Sequence, residues 1–206
     1  MSDFTLSLRE LFLSRNTVVE MLKDRGYQTN QTVYTDFDEF YSLHSTCLSN
    51  IKSMNFVATR SGESSSVIAV NFTTEEKLLK KNVEHLLMDY TTQSINRVIL
   101  ITVNKLNHAI ISYIKSLKNI IIETFEYKEL LFNPTKHQLV PKQRILTGEE
   151  TKNLLESLNC QIDELPVMLK KDVIARYLGT ELNDVIEIIR ESKTAGKSIY
   201  YRAIKE

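Results

Sequence analysis

Two short runs, Val98-Ile99-Leu100-Ile101 and Ile120-Ile121-Ile122, are apolar at every position, and the stretch between them carries Ile110, Ile111, Ile114 and Leu117 at helical spacing. A strand with one solvated face alternates; a run without alternation is buried on both faces. Two such runs joined by an amphipathic helix over about residues 107–117 predict a strand-helix-strand unit with parallel strands. The N-terminal region is therefore expected to be a layered α/β domain.

The flanking segments extend that domain. Leu8, Leu11, Phe12, Val18, Val19 and Leu22 form one face of a helix ended by Arg25-Gly26-Tyr27, where Gly26 is suited to a left-handed cap. Asp36 and Glu39 suggest a capped second helix burying Phe37, Phe40 and Tyr41. Residues 55–59 and 67–72 read as hairpin strands around the turn-rich segment 61–66. Thr73 and Glu76 resemble a capping box for a long helix whose face is Leu78, Leu79, Val83, Leu86, Leu87 and Tyr90. Asn133-Pro134-Thr135 breaks the pattern, which places a boundary between residues 1–134 and 135–206. Beyond it, Thr147 and Glu150 box a helix bearing Leu154, Leu155 and Leu158. Asp172 caps a short helix stopped by Gly179, and residues 185–190 and 199–204 form a closing β-hairpin around the 193–196 turn. The fold class expected is α/β plus α+β, with the smaller mixed domain at the C-terminus.

At 206 residues, with 42% hydrophobic content, the chain can build ordinary cores. Lys plus Arg and Asp plus Glu each total 26, so no global field draws it to nucleic acid or an anionic membrane, and any such contact must be local. No apolar run approaches a membrane span, and residues 1–5 lack a signal-peptide start, so a soluble intracellular protein is expected, with no membrane partner. Cys47 and Cys160 have no metal or disulfide spacing and read as reduced thiols. Asn, Ile and Lys are frequent, a bias consistent with an AT-rich genome.

Several chemical motifs fail on inspection. Gly196-Lys197-Ser198 matches the end of a phosphate-binding loop. That motif needs a glycine where Glu191 stands, however, and must lead into a helix rather than Ile199-Tyr200-Tyr201. His44, His85, His108 and His137 have no metal-ligand spacing. Ser64-Ser65-Ser66 lacks the strand-turn-helix setting of a nucleophile elbow. A metal-dependent nuclease needs converging acids and a lysine, and residues 67–71 supply neither; Glu75-Glu76-Lys77 suits the first turn of a helix. No cofactor, metal or small-molecule substrate is expected. Near the parallel strands, Asn104 to His108 combine Lys105 with a helix start, and Lys115 and Lys118 follow. That arrangement can hold a DNA phosphate, but a solvated loop is the reading that the residues alone favour.

The C-terminal third carries the most specific pattern: His137-Gln138-Leu139-Val140-Pro141, then Asp172-Val173-Ile174-Ala175-Arg176-Tyr177, then Arg190 to Lys197 leading to Tyr201-Arg202. Together these resemble the assembly domain of the fifth subunit shared by eukaryotic nuclear RNA polymerases, a domain that archaeal RNA polymerases also carry as a small subunit. The family usually has His at Gln143, Pro at Val173 and Glu191, and Arg at Lys197. Before residue 135 the resemblance rests on Arg25-Gly26-Tyr27 and the element order, which is similar to the family's jaw domain, a catalytically empty relative of the restriction-endonuclease fold.

The resemblance implies a non-catalytic polymerase subunit, with nucleotide addition left to the two large subunits. The C-terminal domain would dock on the largest subunit near a small shared subunit, through His137, Leu139, Val140, Pro141, Asp172, Ala175, Arg176, Tyr177, Arg190, Thr194, Ala195, Gly196, Tyr201 and Arg202. Arg176 and Arg190 would pair with acids or carbonyls, and Tyr177 and Tyr201 would supply amphipathic area; each could equally serve the domain's own core. The jaw would lie beside downstream duplex DNA, where the family's Thr-Pro-Ser-Ala loop corresponds to Leu106-Asn107-His108-Ala109 next to Lys105, with only the alanine retained. The altered loop and the compositional bias favour a copy from a large cytoplasmic DNA virus of the African swine fever type, located in viral factories and virions. A cellular copy would be nuclear. The competing reading is a free-standing nuclease-like enzyme or DNA-binding domain.

Overall fold

The computed structural model describes residues 6–60, 66–92, 95, 97–117, 120–192 and 196–206. It divides into two compact units, Met1–Phe132 and Asn133–Glu206. The 61–65 turn, Lys118 and the 193–195 turn named above lie outside the described residues.

The N-terminal unit is built on a four-stranded mixed sheet, ordered β1 (Phe56–Arg60), β2 (Ser66–Phe72), β3 (Arg97–Thr102), β4 (Ile121–Glu126). The first pair is antiparallel; β2–β3 and β3–β4 are parallel, the second of these as the two apolar runs predict. Strand β4 is nevertheless an edge strand with Ile121 47% exposed, so only the Val98–Ile101 run is buried on both faces. Ile68, Ile99 and Ile101 are completely buried, each contributing about 1.5–3 kcal/mol of apolar transfer. Helices α3 (Lys80–Thr92) and α4 (His108–Ser116) make the two crossovers and share one core through Val83, Leu87, Ile110 and Ile114. Helix α1 (Leu8–Asp24) starts at a Ser7/Glu10 capping box. It ends with Tyr27 N–H donating to Leu22 O, Gly26 N–H donating to Lys23 O, and Gly26 at φ +80°. Helix α2 (Phe37–His44) meets α1 through Phe12, whose ring lies 5.4 Å from that of Phe40.

Three further expectations are corrected in this unit. Thr73 and Glu76 do not cap α3, which begins at Lys80. The Thr73 N–H instead donates to Ile101 O, so the sheet claims the residue and delays the helix. Leu79 then precedes the helix and is exposed rather than part of its buried face. On α2, Asp36 accepts from Asp38 N–H, and only Phe40 of the three aromatics is fully buried while Tyr41 is exposed.

The C-terminal unit holds a second four-stranded mixed sheet: β5 (Lys142–Ile145), β7 (Val185–Ser192), β8 (Gly196–Lys205) and β6 (Val167–Leu169), in that spatial order. The expected hairpin is its centre, and the edge strands β5 and β6 widen it. Consecutive residues of β7 face opposite sides. Ile186 packs with Met168, Ile174, Ala175 and Ile204 around α6 (Val173–Leu178), and Val185 packs with Leu146, Leu165 and Ala203 beneath α5 (Gly148–Leu158). Thr147 and Glu150 form the capping box expected for α5. Asp172 accepts from the Ile174 and Ala175 N–H groups, and α6 stops at Gly179 with φ +71°.

Candidate assembly surface and basic loop

The hairpin of the C-terminal unit reaches beyond the helices that cover its base. Strand alternation puts Ile188, Arg190, Tyr200 and Arg202 on the face shared with α6. There they border a groove of about 1020 Å³, closed on another side by the Leu139-Val140-Pro141 turn and Met168. That turn is fixed locally: Val140 N–H donates to His137 O at 2.9 Å, and Leu139 N–H donates to His137 Nδ1 at 3.2 Å. The result is a Leu139 side chain 84% exposed at the groove rim. Tyr200 is half exposed beside it. On the face shared with α6 the cations Arg190 and Arg202 stand beside one lining carboxylate, Asp172, which is already engaged at its helix cap; Lys142, Lys197 and Glu191 line the groove from strand positions of the opposite parity. One acceptor is unfilled: the buried Gln143 Oε1, on β5 in the groove wall, has no hydrogen-bond partner. A surface of this kind, apolar at the centre with guanidinium groups around it, suits a protein segment bearing apolar and acidic side chains.

Of the residues singled out in the sequence, Leu139, Val140, Pro141, Asp172, Arg190 and Arg202 converge on this groove, while Tyr201 borders it along β8 with its side chain packed on the other face, against the Val185 cluster. His137 shapes the turn that leads into it. Arg202 Nη1 also donates to Val167 O at 3.2 Å, which pins the guanidinium over β6. Gly196, at φ +69°, opens β8, while Thr194 and Ala195 lie outside the described residues. Arg176 is half-buried on α6. Ala175 and Tyr177 are corrected. Ala175 is fully buried in the α6 core, and Tyr177, 2% exposed, accepts a 2.8 Å hydrogen bond from Asn133 Nδ2, so both build the domain rather than its surface. Sequence reasoning missed Tyr200, Ile188, Met168 and Lys142. The period-2 alternation through Ser198, Tyr200 and Arg202 was the available signal for the first. Lys197 and Ser198 stand in β8, in a ladder with Glu191 and Arg190, and not at a helix start.

In the N-terminal unit, Lys105, Asn107, His108 and Ala109 are exposed and Leu106 packs toward the α3–α4 core. Asn107 caps α4, its Oδ1 accepting from Ile110 N–H at 2.9 Å. The His108 and Ala109 N–H groups keep no intrahelical acceptor. Among the described residues, no group of three or more His, Cys, Asp or Glu could hold a metal ion, and no helix is long and apolar enough to cross a membrane.

Residues 6–89 match the model of the RNA polymerase Rpb5 N-terminal domain, and residues 132–204 match that of the RNA polymerase Rpb5 C-terminal domain. The chain belongs to the Rpb5 family. A Caenorhabditis briggsae protein named DNA-directed RNA polymerases I, II, and III subunit RPABC1 is 28% identical over 210 residues, spanning 99% of this chain and 100% of that protein. A Dictyostelium discoideum protein of the same name is 29% identical, over 95% of this chain and 97% of its own length. DNA-directed RNA polymerase V subunit 5C of Arabidopsis thaliana is 29% identical, over 95% and 84%. The groove lies wholly inside the span matched by the Rpb5 C-terminal domain, whereas Lys105 to Ala109 fall between the two matched spans.

Proposed function

We propose that this chain is a non-catalytic subunit of a DNA-directed RNA polymerase. In this reading the C-terminal groove docks on the largest polymerase subunit, near a small shared subunit, and the N-terminal unit forms part of the lower jaw beside downstream duplex DNA. The observation that carries it is the coincidence of six sequence-selected residues on one cationic, apolar-floored groove within an Rpb5-family domain. Leu139 and Tyr200 supply the exposed apolar and amphipathic area that interface centres favour, and Arg190 and Arg202 the bidentate donors. Lys105 and the free N–H groups at the start of α4 are the jaw's means of touching a phosphate without reading sequence. Composition and the altered loop favour a large cytoplasmic DNA virus as the source, which immunolabelling of viral factories and virions tests. For the function itself, the test is affinity capture of the tagged full chain from cells that make it. The largest polymerase subunit should be recovered in stoichiometric amount, and its absence from the captured material would overturn the reading.

A further inference from the structure

The N-terminal unit contains a second cavity, of about 650 Å³, at the carboxyl ends of the parallel strands β2 and β3, between α3 and the 3-10 turn Ile51–Met54. Ligands of open α/β sheets bind outside the carboxyl ends of the strands, and this volume lies within the roughly 300–1,000 Å³ of ordinary ligand pockets. Its wall is more polar than a sheet core requires. After four apolar residues, β2 places Asn71, 2% exposed, in that wall. Asn71 Oδ1 accepts from Asn55 Nδ2, and Asn71 Nδ2 donates to the Tyr90 hydroxyl. Asn55 Oδ1 accepts from Phe72 N–H, so this amide also ties down the end of the strand. Each carboxamide still retains one N–H and one lone pair. Beside them, the buried hydroxyl of Thr73 has no hydrogen-bond partner at all, although the residue is only 9% exposed. An unfilled buried hydroxyl is destabilising, and a bound ligand would supply its missing partner.

We propose that this pocket binds a nucleotide, with its base among Asn55, Asn71 and Thr73 and its phosphate at Lys52. Paired spare donors and acceptors on the two amides match the hydrogen-bonding edge of a nucleobase, and the ring of Tyr90 supplies a surface for one of its faces. Lys52 is the lysine in the lining; it is exposed and forms no ion pair among the described residues. Glu75, the carboxylate of the lining, accepts from Asn82. The inference does not rest on membership of a polymerase, and loss of one reading leaves the other standing.

The test is a titration of the isotope-labelled full chain, followed by NMR, with AMP, UMP, adenosine, inorganic phosphate and a short single-stranded oligothymidylate. A nucleoside monophosphate should produce saturable shifts at Thr73, Val83 and Leu86, with a Kd below about 1 mM. Lys52→Ala should weaken nucleotide binding about tenfold and leave adenosine binding unchanged. Thr73→Val should weaken both at least about threefold without lowering the melting temperature of the free chain, because it removes a hydroxyl that nothing satisfies. Tighter binding of the oligonucleotide than of UMP identifies an unpaired strand as the natural source, and equal binding identifies a free nucleotide; both uphold the site. The proposal is overturned by no saturable shift at about 5 mM ligand, by shifts that inorganic phosphate alone reproduces, or by binding indifferent to both substitutions.

Discussion

Arg25 and Glu123 join the end of α1 to strand β4 across 98 residues of sequence. Nη1 and Nη2 of the arginine donate to the two carboxylate oxygens at 3.0 and 2.7 Å, and the side chains are only 4% and 18% exposed. At about 4 Å and an effective dielectric of 20, two unit charges attract by about 4 kcal/mol, and much of that offsets their removal from water. Removing one partner is a different matter, because the other then stays largely buried without its counter-charge. Arg25→Met and Glu123→Leu are each expected to destabilise the N-terminal unit by about 2–3 kcal/mol, the low end for a buried pair because Glu123 keeps some solvent contact. The double substitution should cost under about 1 kcal/mol, leaving a coupling of about 3–6 kcal/mol after the singles are summed. Hydrogen exchange followed by mass spectrometry across a urea series gives the assay, since the chain has two units and one unfolding curve would mix them. Peptides from α1 and β4 should respond, and peptides from β7 and β8 should not. Singles that cost under about 0.5 kcal/mol, or a coupling near zero, would refute the reasoning.

Gly26→Ala should cost about 1 kcal/mol in the same α1 peptides. The added Cβ meets only Arg60 Cδ at 3.8 Å, so the penalty comes from the backbone at φ +80°. Tyr177→Phe should cost the C-terminal unit about 1–2 kcal/mol by removing an acceptor of the buried Asn133 amide, and hydrogen exchange in the α6 and β7 peptides indistinguishable from wild type would contradict that role. Hydrogen bonding from the Thr147 N–H, and then from Arg144, holds the Glu150 carboxyl below its ordinary 4.5. Its contribution to the start of α5 is therefore complete above that value and lost as pH falls through the lower, folded one. NMR titration should show the depressed midpoint, and Arg144→Ala should move it upward.

Much of both folds was legible because the deciding forces are local. The Thr147/Glu150 box, the glycines at 26 and 179, and the unalternating strand β3 each carry their own geometry in a few residues, whereas the equally apolar Ile121 of β4 ends up exposed because its strand lies at the sheet edge. Where tertiary pairing competes, local signals mislead. Thr73 and Glu76 spell a capping box, yet the Thr73 N–H is worth more as an extension of the central sheet. Strand β5, Lys-Gln-Arg-Ile, has almost no strand signature of its own and exists because β7 offers it a ladder, while Arg144 is held to Glu187 and Glu150. The candidate site shows the same division. A family-like pattern marked the right region, but it could not separate Ala175 and Tyr177, which face the core, from Arg190 and Arg202, which face the groove.

The most direct test of the assembly claim is the equilibrium affinity of the purified full chain for the largest polymerase subunit. It should be measured for wild type and for the Tyr200→Ala/Arg190→Glu double variant, after circular dichroism confirms that both are folded. Truncating one groove aromatic and reversing one groove cation should together remove at least about 3 kcal/mol, a loss of about 100-fold or more in affinity. Wild-type chain that fails to bind, or a folded variant that binds as tightly as wild type, would contradict docking through this groove.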